Sequence, residues 1–226
     1  MKLIILTVLC FFHATFFAQS RREEIIIKGI KSITRSYWKS DSSQKIEIKN
    51  YYSINGDDSI EYYCGKLSFR FEAFFSKDGR VEHLERHDAV DRIDEWHMYK
   101  YAKNGTYSIE VVAHGAGTIL FSEYDRNHKC LKEEFSGVES LYYKYDNLGK
   151  LSKILYGEKK EKPKEIAAVI YNKEGLIEKI IGTEKSSQIQ YFKYNASGLV
   201  SEKISVMKKE KGEEEKQIIY YEYEFR

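Results

Sequence analysis

The chain has 226 residues, with 37 lysines and arginines against 35 aspartates and glutamates, a formal net charge of +2. So even a balance argues against a nucleic-acid protein, whose electrostatic footprint needs a basic excess. Charged residues at 32% and aromatics at 15% suit strands that carry one polar and one apolar face.

The chain opens on Met1-Lys2 and an apolar run from Leu3 to Phe12, then reaches Ala18 and Gln19-Ser20-Arg21-Arg22. This is the pattern of a secretory signal peptide over residues 1–18, with cleavage expected after Ala18. The run is too short and wrongly flanked for a membrane span. Cys10 follows Leu9, where a lipid-anchor site wants a small residue. The mature chain is therefore expected to be exported, to the periplasm, cell surface or extracellular space, with no transmembrane segment. The roughly 200 residues that remain suit one domain.

Residues 19–44 read as a lead-in with one strand, Ile30 to Trp38, which looks like the second half of an incomplete unit. From residue 45 to 226 a short phrase recurs: an aromatic, three residues, glycine, then an apolar residue two places on. Its copies are Tyr52/Gly56, Phe75/Gly79, Tyr101/Gly105, Tyr145/Gly149, Tyr171/Gly175 and Tyr194/Gly198. Tyr124, with His128 in the glycine place, is a degraded copy. The glycine places recur every 21 to 26 residues, the mark of a repeat architecture. Tyr221 to Phe225 reads as a last strand that ends where its turn would begin.

Tyr145-Asp146-Asn147-Leu148-Gly149-Lys150-Leu151 shows the chemistry of one unit. Asp146 first and Gly149 fourth suit a type I turn. The aspartate accepts backbone N–H groups inside it, and the glycine takes the left-handed conformation of a bulged hairpin. Tyr145 should then oppose Leu151, as Phe75 opposes Val81, Tyr101 Tyr107, Tyr171 Ile177 and Tyr194 Val200. Each unit is predicted to be one β-hairpin. About seven consecutive antiparallel hairpins are predicted to form one long, curled, all-β meander sheet. The anchor rings are read chiefly as core or hairpin-stabilising residues.

At these residues the chain resembles the YD repeats, also called RHS repeats, of bacterial surface and toxin proteins. Their phrase is Tyr-Asp-x-x-Gly, a basic residue and an aliphatic one, which Tyr145 to Leu151 matches fully. Tyr171-Asn172 to Ile177 and Tyr194-Asn195 to Val200 match with Asn for Asp and Leu for the basic residue. Tyr51-Tyr52 to Gly56 is also similar, more weakly, to MORN-type repeats. The YD resemblance implies spiralling hairpin ribbons and, in large members, a shell around a toxin domain. This chain has too few units for a shell and is read as a small, free-standing cousin.

Cys130, two after His128, takes the inward place that Leu151 holds in the full copy, and Cys64, eight after Gly56, falls on the same face by parity. The two form a candidate disulfide, which would report that the sheet closes, and are otherwise small core residues. His83-Leu84-Glu85-Arg86-His87 puts two imidazoles and a carboxylate on one strand face, a set able to ligate metal. Asp88, Asp91, Asp94, Glu95 and His97 follow in what reads as the connector between the second and third hairpins. The bland reading of that stretch is a solvated polar strand and loop. His114-Gly115-Ala116-Gly117 reads as a loop. No nucleophile elbow or phosphate loop is present, and no cofactor is implied.

The expected function is an exported, non-catalytic binding module for a protein or a cell-envelope glycan. Tyr142 beside Tyr143, and Tyr220 beside Tyr221, put rings on both strand parities, so some must point away from a single core. The alternatives are an accessory or immunity-like partner of a toxin system, which the resemblance alone suggests, and a metal-dependent hydrolase using His83 to His97.

Overall fold

A computed structural model describes residues 25, 27–38, 44–52, 58–158, 161–183, 188–208 and 214–226. The signal-peptide reading and the turn at Gly56 lie outside them. The first eight strands are β1 (Ile30–Trp38), β2 (Lys45–Tyr52), β3 (Asp58–Tyr63), β4 (Lys66–Phe75), β5 (Val81–Asp88), β6 (Ile93–Tyr101), β7 (Tyr107–Ala113) and β8 (Gly117–Tyr124). The second eight are β9 (Cys130–Phe135), β10 (Glu139–Tyr145), β11 (Leu151–Glu158), β12 (Lys164–Tyr171), β13 (Ile177–Gly182), β14 (Gln188–Tyr194), β15 (Val200–Lys208) and β16 (Glu214–Phe225).

Each strand pairs antiparallel with its chain neighbours, and β1 also pairs with β16, so the meander is a closed sixteen-stranded barrel. This corrects the expected open, curled sheet. The closing pair joins the two incomplete units at the chain ends: Ile30 lies opposite Phe225, and Arg226 N–H donates to the Gly29 carbonyl at 2.8 Å. The last strand and the lead-in strand thus make an eighth hairpin from two distant pieces. Closure satisfies both sheet edges, which would otherwise expose rows of unpaired backbone groups.

The period-two pattern sets the two faces. On β10, Leu141 and Tyr143 are buried inside, while Tyr142 and Lys144 point out. On β14, Gln190 and Phe192 are buried inside, while Tyr191 and Lys193 point out. One apolar cluster fills the interior beside β8 to β14, with Leu141, Tyr143, Leu151, Ile154, Ala167 and Phe192 at its centre. A smaller cluster of Ile25, Ile30, Ile33, Tyr52 and Leu199 packs at the closing seam.

Among the described residues no disulfide is formed. Cys64 and Cys130 are both free, the first exposed and the second buried. Cys64 is not on an inward strand position as read: β3 ends at Tyr63, and Cys64, with φ of +47°, starts the turn into β4. The sheet closes through β1 and β16 instead.

Candidate functional site

The predicted hairpin pairs are the ones observed. Tyr145 opposes Leu151, Phe75 Val81, Tyr101 Tyr107, Tyr171 Ile177 and Tyr194 Val200. In the full copy, Asp146 Oδ1 accepts the N–H groups of Leu148 at 3.0 Å and Lys150 at 2.8 Å. Asp125 and Asn195 each accept two N–H groups in the same way.

The glycine places among the described residues are turn positions. Gly79, Gly105, Gly149, Gly175 and Gly198 hold φ between +74° and +86°, the left-handed region that glycine enters without strain. Each donates its N–H to the carbonyl three residues back: Gly79 to Ser76, Gly105 to Ala102, Gly149 to Asp146, Gly175 to Asn172 and Gly198 to Asn195, all at 2.9–3.1 Å. In the degraded copy His128 does the same, with φ of +63° and a 3.0 Å bond to Asp125. The expected bulge is present beside Gly79, Gly149, Gly175 and Gly198, where the register slips by one residue next to the anchor aromatic. Gly105 is the exception and corrects that expectation: Lys100 opposes Ser108 and Tyr101 opposes Tyr107 with no slip. Its turn has Ala102 in the aspartate place, so no side chain there grips the N–H after the glycine. Asn104 Oδ1 accepts the Thr106 N–H instead, at 3.1 Å.

The anchor tyrosines link one unit to the next through a second regularity. Tyr145 Oη donates to the Cys130 carbonyl at 2.8 Å, Tyr171 to Leu151 at 2.9 Å, Tyr194 to Ile177 at 2.8 Å and Tyr223 to Val200 at 2.7 Å. Each acceptor is the residue that opposes the previous unit's aromatic. In the eighth, split unit Phe225 takes the anchor place opposite Ile30, and Tyr223, two places earlier, makes the hydroxyl bond in its stead. Tyr52 and Tyr124 are buried. Burial raises the hydroxyl pKa of Tyr145 and Tyr171, keeping both as neutral donors.

The basic place of the phrase reaches forward as well. Lys129 Nζ lies 5.2 Å from the Tyr145 ring centre and Lys150 Nζ 5.1 Å from that of Tyr171, a cation–π arrangement. Lys129 also donates to the Gly149 carbonyl at 2.7 Å. The anchors Tyr145, Tyr171 and Tyr194 thus spend their hydroxyls on neighbouring units, and their role is structural.

The stretch read as a connector is ordered strand and turn. His83 and His87 belong to β5, Asp94, Glu95 and His97 to β6, and only a tight turn lies between. That turn reuses the turn geometry of the repeat phrase between two units and not within one, with its histidine on the outer face of the sheet. In His87-Asp88-Ala89-Val90-Asp91-Arg92-Ile93, histidine takes the tyrosine place and aspartate the glycine place. Asp88 Oδ1 accepts Val90 N–H at 3.0 Å and Arg92 N–H at 2.9 Å, Asp91 has a φ of +65°, and His87 opposes Ile93. The backbone N–H of Arg92 leads the interactions that hold the Asp88 carboxyl below its ordinary pKa. The Asp-x-x-Asp-Arg-Ile spacing was the available clue.

His83, Glu85 and His87 share one face as expected, on the outer side of the sheet. His83 stacks on Phe74 with ring centres 4.4 Å apart. His87 is buried, its nitrogens 3.3 Å from Asp91 and 3.5 Å from Glu85. Among the described residues no group of three His, Cys, Asp or Glu side chains is arranged to hold a metal ion. His97 instead lies 3.3 Å from Glu95. Arg86 donates to Asp94 at 3.0 and 2.7 Å and pairs with Glu95 at 2.7 Å.

The outer wall carries rings that the core does not use. Tyr51 and Tyr62 meet edge to face at 5.9 Å, with Lys49 4.9 Å from the Tyr51 ring. Tyr142 stands beside Lys132 at 5.9 Å, and Trp96 beside His114 at 6.2 Å. Tyr191 and Tyr220 are 38% and 41% exposed. Charged side chains occupy mid-strand outward places over β4 to β10, among them Glu72, Glu85, Glu110 and Lys132. On a lipid-facing barrel a mid-strand lysine costs about 2–4 kcal/mol, so this part of the wall suits water. Among the described residues no helix is long and apolar enough to cross a membrane.

No known protein family matches the chain, and no curated protein does. Solved structures do share parts of its shape. A porin-like protein from Bacteroides uniformis is 10% identical with a TM-score of 0.46, over 86% of this chain and 98% of that one. The complex TcdB2-TccC3-Cdc42 matches at 11% identity and a TM-score of 0.37, over 84% of this chain. The Photorhabdus luminescens Tc holotoxin pore matches at 10% identity and a TM-score of 0.32, over 76% of it. The chain spans only 13% of the length of each of those two toxin chains.

Proposed function

We propose that this chain is an exported, non-catalytic binding module, a small barrel of YD-like hairpins that presents aromatic rings on its outer wall to a cell-envelope glycan or protein. The observation that carries the reading is the division of labour among the tyrosines. Anchors such as Tyr145, Tyr171 and Tyr194 are tied into the unit-to-unit ladder, while Tyr51, Tyr62 and Tyr142 stand on the outer face beside lysines. A ring with a cation at its edge offers a stacking face and a charged hydrogen-bond donor together, a combination that suits sugars and amphipathic protein surfaces.

The test is retention on the immobilised mature chain of material from the host's envelope and culture fluid, compared with a Tyr51→Ser, Tyr62→Ser, Tyr142→Ser variant. Wall or capsule sugar, or one stoichiometric protein, retained by the native chain and lost from the variant is the expected result. Equal retention by both, or none by either, overturns the proposal. Neither Tyr51 nor Tyr62 is in the repeat ladder, so the variant should keep the strand spectrum of the native chain.

A further inference from the structure

The outer wall is not uniform. Over β12 to β16 its outward places form two cross-strand rows. One runs Ala168, Ile181, Ile189, Val206. The other runs Ile170, Lys179, Tyr191, Ile204, Ile218. Five adjacent strands at about 4.8 Å spacing make this face roughly 20 Å wide. Lysines frame it: Lys153 opposes Ala168 at one end of the first row and Lys216 opposes Val206 at the other. Lys193 sits one step along from Tyr191. Two of these lysines are already neutralised, Lys153 by Glu165 at 2.7 Å and Lys193 by Glu202 at 3.1 Å. Among the described residues Lys179 and Lys216 meet no carboxylate.

We infer that this face of the barrel rests on an anionic lipid surface. Aliphatic side chains along both rows, with Tyr191 among them, and lysines within the second row and at both ends of the first bring together the apolar, aromatic and cationic groups of a surface that lies in a membrane interface. Protein interfaces are instead depleted in lysine and enriched in arginine and methionine, and none of the named residues is either. Self-association through this face would bury the two uncompensated lysines against a surface that is itself positive. The charged wall of β4 to β10 fixes which side turns toward the lipid, so the barrel lies on the bilayer and does not span it. The inference is independent of the aromatic sites of β2, β3 and β10, whose rings its test variants leave in place.

The experiment uses the chain from Gln19, which holds every described residue and lacks the apolar leader. Its flotation is measured with vesicles of phosphatidylethanolamine and phosphatidylglycerol at three to one, and with vesicles of pure phosphatidylcholine. Binding to the anionic vesicles only, weakened by salt, is expected. Lys179→Gln with Lys216→Gln should reduce it about thirtyfold, the effect of two lysines near an anionic surface. Ile189→Glu with Ile204→Glu should abolish it. Both pairs are outward and only half-buried at most, and retained circular dichroism and a monomeric sedimentation profile check that each variant folds. The inference falls if the native chain floats no better with anionic than with neutral vesicles, or if the variants bind as the native chain does. It falls equally if the native chain dimerises through this face and ignores both vesicles.

Discussion

The two sides of the barrel are built to different rules. Along β8 to β15 the interior holds one large apolar cluster, with Tyr143, Ile154, Ala167, Ile180 and Phe192, beside the buried polar chains of Glu133, Gln190 and Lys203, and the tyrosine ladder is regular. Along β1 to β6 the interior places hold polar chains. Arg35 donates to Asn50 at 2.8 Å, Asn50 to Glu61 at 3.1 Å, and the Arg86 guanidinium lies 4.2 Å from the Phe69 ring while pairing with Glu95. Here the repeat phrase is worn: Phe75 replaces an anchor tyrosine and is 51% exposed, and Tyr101 is 41% exposed. Natural sequences that break their own local rules tend to do so where function constrains them. The regular side therefore reads as scaffold. The worn side carries Tyr51, Tyr62 and Trp96 on its outer wall, and the proposed recognition would draw on these together with Tyr142 of β10 on the regular side.

If that division is right, the largest losses come from the regular interior. Ile154 is fully buried, and Ile154→Ala should lower the unfolding free energy by about 2–5 kcal/mol, read by urea denaturation. On the worn side, Phe75→Ala should stay within about 0.5 kcal/mol, because half the ring is already in water. Equal losses at the two sites would end the distinction. Arg86→Ala is next in size. It strands Asp94 and Glu95 in a partly buried setting, at a cost of about 1.5–3 kcal/mol for charged hydrogen bonds. Arg86→Lys should recover only part of this, since an ammonium cannot reproduce the two-nitrogen grip on Asp94.

The same contrast explains what was legible in the sequence. A turn and its flanking pair are local chemistry, so Tyr145 opposite Leu151, and its counterparts, followed from residue type and spacing alone. The parity of Tyr142 against Tyr143 was equally local. The missing bulge at Gly105 was not read, because Tyr101 to Tyr107 keeps every place that the phrase marks. Closure was not legible either, because β1 and β16 meet across almost the whole chain, and neither half of the eighth hairpin announces the other. The turn at Asp88 escaped because two substitutions at once, His87 for tyrosine and Asp91 for glycine, hid a geometry that the Asp88 carboxylate still enforces. For Cys64, counting parity along the chain ran one residue past the end of β3, into a turn where alternation no longer applies. The aromatic sites of the outer wall lacked any pattern beyond ring excess, since a ring's exposure depends on which strands flank it.

Smaller effects sharpen the comparison. Tyr171→Phe removes one rung, leaves the ring in place and should cost about 0.5–1.5 kcal/mol. Phe75→Tyr, which places on the worn side the tyrosine of the chain's other repeat copies, should gain nothing, as its hydroxyl would enter solvent. His128→Gly tests the degraded turn within the regular side. His128 holds a φ of +63°, a conformation that costs a non-glycine residue roughly 1–2 kcal/mol. Its contact with the Tyr107 hydroxyl at 3.2 Å offsets part of that. A net gain below about 1 kcal/mol, seen as a slightly higher Tm, is expected; a loss would show that the Tyr107 contact outweighs the strain.

The seam that joins the two sides should respond to acid in a way neither side does. Glu224 on β16 accepts from Lys31 at 2.8 Å and Ser32 at 2.9 Å, and pairs with Lys49 at 3.4 Å. Lys31 leads these partners in holding its carboxyl down from an ordinary 4.5 to about 2. A carboxyl depressed by folding stabilises the native state above its unfolded pKa, and that contribution is lost as pH falls through the folded value. The seam should thus weaken between about pH 4.5 and about pH 2. Glu224 is exposed and the pair is screened, so the change in Tm is the smallest expected here and should shrink further in high salt. Glu224→Gln should lower Tm slightly at pH 6 and match the native chain below pH 2. If the variant and native curves run parallel from pH 6 to pH 2, the clasp on Glu224 contributes nothing to closure. The barrel is then held shut by the backbone pairing of β1 with β16 and by the Ile30, Ile33 and Leu199 cluster beneath it.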